Sequence, residues 1–115
     1  MNSLNSILVE GNCVANPEIE YTPKGTAICI FTIASNRQYK VDEEYEKEVS
    51  FFKIKTYAKL AETCREFLVK GRGVRVVGRL KQERWRDSDD KACSRIDIIA
   101  EHVEIKPLSR KEEDK

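Results

Sequence analysis

The chain holds one histidine, one tryptophan and one methionine, its lysines and arginines nearly balance its acids, and each of these scarcities closes off a class of function. His102, the only imidazole, stands in the alternating run from Ala100 to Ile105 and reads as a structural residue rather than a general base. Cys13, Cys29, Cys64 and Cys93 are separated by 16, 35 and 29 positions, so no CxxC pair exists and only His102 is available to complete a zinc site. Reduced, mostly buried thiols are expected, with a disulfide framework as the alternative. No metal and no cofactor is expected.

Catalytic signatures are also missing: there is no GKS, HExxH or GxSxG. Gly71-Arg72-Gly73-Val74-Arg75-Val76 fails the dinucleotide fingerprint at its third glycine and falls between a helix and a strand, the wrong context for cradling phosphate. The carboxylates crowd into residues 42 to 48, where they stay solvated. The expectation is a protein that catalyses nothing. No apolar run approaches the ~20 residues of a membrane span. Residues 1 to 23 hold no Lys or Arg, unlike signal and transit peptides, so a cytoplasmic location is expected.

With 21 Lys and Arg against 20 Asp and Glu, net charge says nothing about nucleic acid, and only the distribution of charge can decide. The 115 residues suit a single domain. Ser6 to Val14 is strand-like, with Gly11 at a bend where a barrel strand curves sharply. Thr22-Pro23-Lys24-Gly25 is turn chemistry leading into a second strand over Thr26 to Ala34. Residues 40 to 48 (KVDEEYEKE) read as an exposed hairpin loop before a third strand over Val49 to Tyr57. From Ala58 to Lys70, Leu60, Cys64, Phe67 and Leu68 share one helical face, and Gly71 suits the left-handed position beyond a helix end. A fourth strand covers Gly73 to Arg86, a polar turn Asp87 to Lys91, and a fifth strand Cys93 to Ile105. Past Lys106-Pro107 the chain reads as a frayed tail.

Five strands with one helix between the third and the fourth describe an all-β, five-stranded Greek-key barrel of the OB type. An open α+β sandwich of the same elements is the alternative. The domain is expected over residues 1–106, with a short flexible tail over 107–115.

Strand parity sets Phe51, Lys53, Lys55 and Tyr57 on one face and Phe52, Ile54 and Thr56 on the other. Two lysines make the first face a wet one. Aromatics interleaved with cations supply what a single strand of nucleic acid needs, flat rings for bases and ammonium groups for phosphates. The plainer reading is that Phe51 and Tyr57 cover a loop or a subunit contact. On the fourth strand Val74, Val76 and Leu80 face inward and Arg75, Val77, Arg79 and Lys81 outward, before Arg84-Trp85-Arg86. Between Lys70 and Arg86, seven basic residues oppose the single acid Glu83. Trp85 is either exposed there or tucked beneath arginine stems.

Asn5 to Asn12 (NSILVEGN), Asn16 to Gly25 (NPEIEYTPKG), Tyr57 to Glu62 (YAKLAE), and Lys70-Gly71 through Gly78-Arg79-Leu80 follow one another in an order that resembles the bacterial single-stranded DNA-binding protein family over about residues 5 to 106. The resemblance implies sequence-independent binding and protection of single-stranded DNA in replication, repair or recombination, by an OB-fold homotetramer associated with the nucleoid. An OB-fold primosomal or RNA-binding module is the alternative. By resemblance Tyr39, Phe51, Tyr57 and Trp85 stack on bases, Tyr39 being added on that ground alone. Lys53, Lys59, Lys70, Lys81, Arg84 and Arg37 take phosphate contacts on the same ground, and parity adds Lys55 and Arg79. Departures are Glu20, where the family usually has Arg, and Glu10 in place of an apolar residue. The family's long tail with an acidic, Phe-ended tip is missing from the sequence as given, which reads as a short variant or a trimmed chain, and recruitment of replication and repair proteins through that tip is not among the expectations.

Overall fold

The computed structural model describes residues 2–107; of the tail expected over 107–115, all but Pro107 lies outside the described residues. The elements are β1 (Ile7–Cys13), β2 (Glu18–Tyr21), β3 (Ala27–Val41), β4 (Glu44–Tyr57), α1 (Ala58–Phe67), β5 (Gly73–Arg86) and β6 (Ala92–Ile105). Hydrogen bonding runs β1-β5-β6-β4-β3-β2, and β1 also meets β3 through Asn12 with Ala34 and Cys13 with Ile33. Five strands thus close on themselves. The short β2 continues the line of β1 along the edge of β3, pairing Glu18 with Ile30 through Tyr21 with Ala27. With Glu18–Tyr21 forming a strand of its own, the helix follows the fourth strand rather than the expected third.

Closure explains two glycines. A Cβ on Gly11 would stand 2.4 Å from the Ala34 carbonyl oxygen at the β1/β3 seam, and one on Gly78 would stand 2.2 Å from that of Ile99. Gly78 lies at a register shift between β5 and β6, the kind of irregularity that bends a strand. The core is lined by Cys13, Cys29, Phe31, Ile33, Ile54, Val74, Val76, Ile98 and Ala100, and one end is closed by Ala61 and Cys64 of α1 and by Leu68 just past it. Phe67, expected on the buried helical face, is half exposed at 51%. The small residues Ala61 and Cys64 centre the helix against the barrel, leaving Phe67 at the side. Gly71 does take a positive φ of 92°, in the turn after the helix rather than directly at its end.

All four thiols are free; three are buried, and Cys93 is half-buried. Loss of water, reinforced by the neighbouring Cys29, pushes the Cys13 thiol up to about 11 and the Cys64 thiol to about 12, so both stay protonated and behave as small apolar groups.

Residues 40 to 48 are not a loop. The β3–β4 ladder continues to Val41 and Glu44 and turns through Asp42 and Glu43 alone, both at positive φ (49° and 70°), as a two-residue hairpin turn requires. Alternation is missing from this stretch because neither face of the ribbon is covered; Arg37 opposite Glu48 and Lys47 opposite Gln38 keep it polar. Leu80, expected inside, is 42% exposed for the same reason: beyond Gly78, β5 and β6 leave the barrel as a second uncovered ribbon.

Replacing Gly11 with Ala forces the seam apart and should lower the unfolding free energy by at least about 2 kcal/mol in urea titration. Gly25→Ala, at φ 90° but facing open space, should cost only about 1 kcal/mol.

Candidate nucleic-acid interface

β4 and β6 touch as a short parallel pair, Ile54 with Ile98 and Lys55 with Ile99. Both ribbons therefore leave the barrel in the same direction, with β4 and β6 as their facing strands. A crevice opens where the two diverge, lined by Ile7, Phe51, Phe52, Lys53, Leu80, Ile96 and Ile98.

Paired residues share a face of a sheet, so register sorts the candidate residues. The outer face of β4 carries Phe51, 64% exposed, then Lys53, Lys55 and the half-buried Tyr57. Across β6 the same face continues through Asp97 and Arg95, and on β5 through Arg79, Lys81 and Trp85, the last 45% exposed. Phe51, Tyr57 and Trp85 thus belong to one continuous surface, with Lys53, Arg79 and Lys81 on it. Tyr39 and Arg37 do not: they pair with Glu46 and Glu48, on the opposite face of their ribbon from Phe51. There the Arg37 guanidinium lies 5.5 Å from the Tyr39 ring centroid. Arg84 pairs with Ser94 and is likewise on the reverse of its ribbon, its guanidinium held by Gln82 Oε1 at 2.7 Å and 3.1 Å.

Lys59 is exposed in the first turn of α1, immediately after Tyr57. Ala58 makes that junction abrupt by taking a φ of 56°, so that the helix starts without a loop. Lys70 is exposed in the turn leading to β5, where its backbone N–H donates to Asn16 Oδ1 at 2.9 Å. Asn16 in turn lines a crevice with Lys53, Glu18 and Thr32.

Two of the candidate cations are ion-paired, Lys81 with the partly exposed Glu83 and Lys55 with a buried acid. The Lys55 side chain is only 13% exposed, and its Nζ lies 3.1 Å from Oδ2 of Asp97, which is 2% exposed. Of the two lysines expected to make this face wet, Lys53 is half-buried and lines the crevices on either side of it, whereas Lys55 is an internal charge already matched. Arg95 Nε donates to the same Asp97 oxygen at 3.2 Å, and its guanidinium lies 5.5 Å from the Trp85 ring centroid. Both readings of Trp85 hold in part: the ring is half exposed and covered by an arginine, but one from the neighbouring strand rather than Arg84 or Arg86. Nothing local in the sequence marks Asp97 or Arg95; the one hint is an acid inside the apolar run from Ile96 to Ala100.

Acids lie both within and beside this surface: Glu83 stands between Lys81 and Trp85 on the same face, its Oε1 3.4 Å from Lys81 Nζ. Glu20 shares a row with Ile28 and Tyr57, and Glu18 with Ile30 and Lys55, so both occupy the outer face at its β2 edge. Glu10 lies away from it on β1, held by Arg75 at 3.0 Å and by Lys106, whose hydrogen bonds keep its carboxyl below the ordinary range. His102 is exposed opposite Val77, not packed in the core, and no group of three metal-ligating side chains exists among the described residues. No helix there is long and apolar enough to cross a membrane.

A family model described as the single-strand binding protein family matches residues 4–106. The single-stranded DNA-binding protein of Aquifex aeolicus is 41% identical over 103 residues, 89% of this chain and 69% of the relative. That of Treponema pallidum is 32% identical over 105 residues, 91% of this chain and 59% of the relative, so the chain spans well under the full length of both. Among solved structures, a Plasmodium falciparum SSB complex with single-stranded DNA superposes with a TM-score of 0.84 at 22% identity, covering 93% of this chain and 98% of that one. The Thermus aquaticus single-stranded DNA binding protein gives 0.82 at 24% identity, over 95% of this chain and 53% of that one. At those identities the likeness establishes the fold, an OB-type barrel.

Loss of water would raise the Asp97 pKa, but the hydrogen bonds from Lys55 and Arg95 outweigh it and hold the carboxyl below its ordinary 3.8. A depressed folded-state pKa stabilises above the unfolded value and ceases to do so as pH falls through the folded one. Asp97→Asn should therefore be less stable than the parent by about 1–3 kcal/mol at neutral pH. Urea titrations from pH 7 to 2.5 should show that gap holding above pH ~5 and narrowing below 3.8.

Proposed function

Because the chain belongs to the single-strand binding protein family, we propose that it binds and protects single-stranded DNA without reading its sequence, and performs no catalysis. The observation that carries this is the continuous outer face bearing Phe51, Tyr57 and Trp85 with Lys53, Arg79 and Lys81 between and beside them. Each base stacked on such a ring contributes about 1–3 kcal/mol, and any base serves, because each has a π-face. Lys59 and Lys70 extend the phosphate-binding side beyond Tyr57. Tyr39, Arg37 and Arg84, on the reverse of the two ribbons, engage a strand that wraps a ribbon edge rather than one lying on the outer face. Lys55 takes no phosphate, since Asp97 already neutralises it.

The working form is an oligomer, a tetramer by analogy with the family, acting in replication, repair or recombination in the nucleoid-bearing cytoplasm.

The Phe51→Ala/Trp85→Ala double variant should lose about 2–5 kcal/mol of affinity for oligo-dT in a fluorescence-labelled titration. Undiminished binding would sink the stacking mechanism, and equal competition by oligo-rU would point to an RNA-binding module instead. With about five phosphates neutralised, log affinity should fall against log salt with a slope of about −3 to −4. Lys53→Ala should flatten that slope by about 0.7, and Lys55→Ala should leave it unchanged.

A further inference from the structure

Trp85 stands on a two-stranded ribbon with no layer above it, so neighbouring side chains alone must hold the indole where a base can meet it. Glu83 faces Arg95 and Trp85 faces Cys93 across the ribbon, which sets Arg95 diagonal to the ring on the same face. Its guanidinium, 5.5 Å from the ring centroid, is itself fixed by Asp97. Asp97 is almost wholly buried and accepts on one oxygen from Arg95, of the Trp85 ribbon, and from Lys55, of the strand that carries Phe51 and Tyr57. The chain of contacts Trp85–Arg95–Asp97–Lys55 therefore joins the two halves of the stacking surface across the β4/β6 pair.

We propose that Arg95 and Asp97 are positioning residues for Trp85: Arg95 backs one face of the indole and leaves the other for a base, while the buried Asp97 carboxylate locks Arg95 in register with β4. This rests on the reading of the outer face as the DNA-binding surface. A planar guanidinium suits the task because it can lie against a ring and still direct an N–H to a carboxylate, which a lysine ammonium cannot do as a flat group. Holding the ring before DNA arrives removes an ordering cost from binding.

Trp85 is the only tryptophan, so intrinsic fluorescence reports on this ring alone. The test compares the full chain with Arg95→Ala, Arg95→Lys and Asp97→Asn, by time-resolved anisotropy and acrylamide quenching without DNA, and by oligo-dT titration at fixed salt. Arg95→Ala should free local motion of the indole, raise its quenching by acrylamide and weaken oligo-dT binding roughly fivefold. Arg95→Lys should keep the salt slope of the parent yet show the loosened ring. Asp97→Asn should move in the same direction as Arg95→Ala. If Asp97→Asn fails to fold, Arg95→Ala, at a half-exposed side chain, still decides. Unchanged ring motion in Arg95→Ala overturns the proposal, as does full recovery of affinity in Arg95→Lys, the result expected of a simple phosphate contact. Failure of the parent chain to bind oligo-dT would instead remove the DNA-binding reading, while ring motion in the free protein would still judge whether Arg95 holds Trp85.

Discussion

The short parallel contact between β4 and β6 is the constraint on which the rest of this surface depends. Only Ile54 with Ile98 and Lys55 with Ile99 pair there, yet that pairing fixes which ends of the two long hairpins point the same way. Had these strands met antiparallel, the ribbons would have left opposite ends of the barrel and Phe51 could not share a surface with Trp85. The same contact delivers Lys55 to Asp97, and a buried carboxylate so placed is tolerable only because two cations converge on it. The seam that brings the halves together is thus also the place where charge is buried and matched.

Barrel closure imposes the complementary condition. Gly11 and Gly78 let backbones approach at distances no Cβ would permit, and above that level the strands run on as ribbons with no opposing sheet. Uncovered ribbons bury little, which is why Leu80, Ile96 and Phe51 remain exposed and why the interior is made by few large side chains and three buried thiols. What the ribbons lose in packing they gain in surface presented on both sides.

Much of this was legible locally. Turn chemistry at Thr22 to Gly25 and Asp87 to Lys91 placed strand ends, Gly73 to Arg86 matches β5 at both bounds, and alternation alone selected Phe51, Lys53 and Tyr57. Local signals failed wherever the deciding partner came from a distant segment. Lys55 has the same parity as Lys53, and only the β4/β6 pairing distinguishes a matched internal charge from a free one. Trp85 has an arginine on each side in sequence, yet the one against its ring is ten residues away on the next strand. Residues 40 to 48 lacked alternation because alternation records a buried face, and a ribbon wet on both sides has none to record.

Near-neutral composition also has a spatial meaning here. The tip of the β3–β4 ribbon carries Asp42, Glu43, Glu44, Glu46 and Glu48, and the β2 edge carries Glu18 and Glu20, whereas β5 from Gly73 to Arg86 is strongly basic with Glu83 its single acid. A polyanion approaching this molecule meets attraction along β5 and repulsion at both ribbon tips, Asp87, Asp89 and Asp90 capping the β5–β6 one, and at the β2 edge, a balance invisible in the net charge. Within a Debye length of roughly 8 Å at physiological salt, such a field acts on the local path of the strand more than on its capture from a distance. Under the proposed mechanism the rings then matter more, because base stacking does not depend on charge and salt does not screen it as it screens the cations. Trp85 is the ring carried by the basic strand itself, near the tip of its ribbon, and it is the one whose orientation the buried Asp97 reaches, through Arg95.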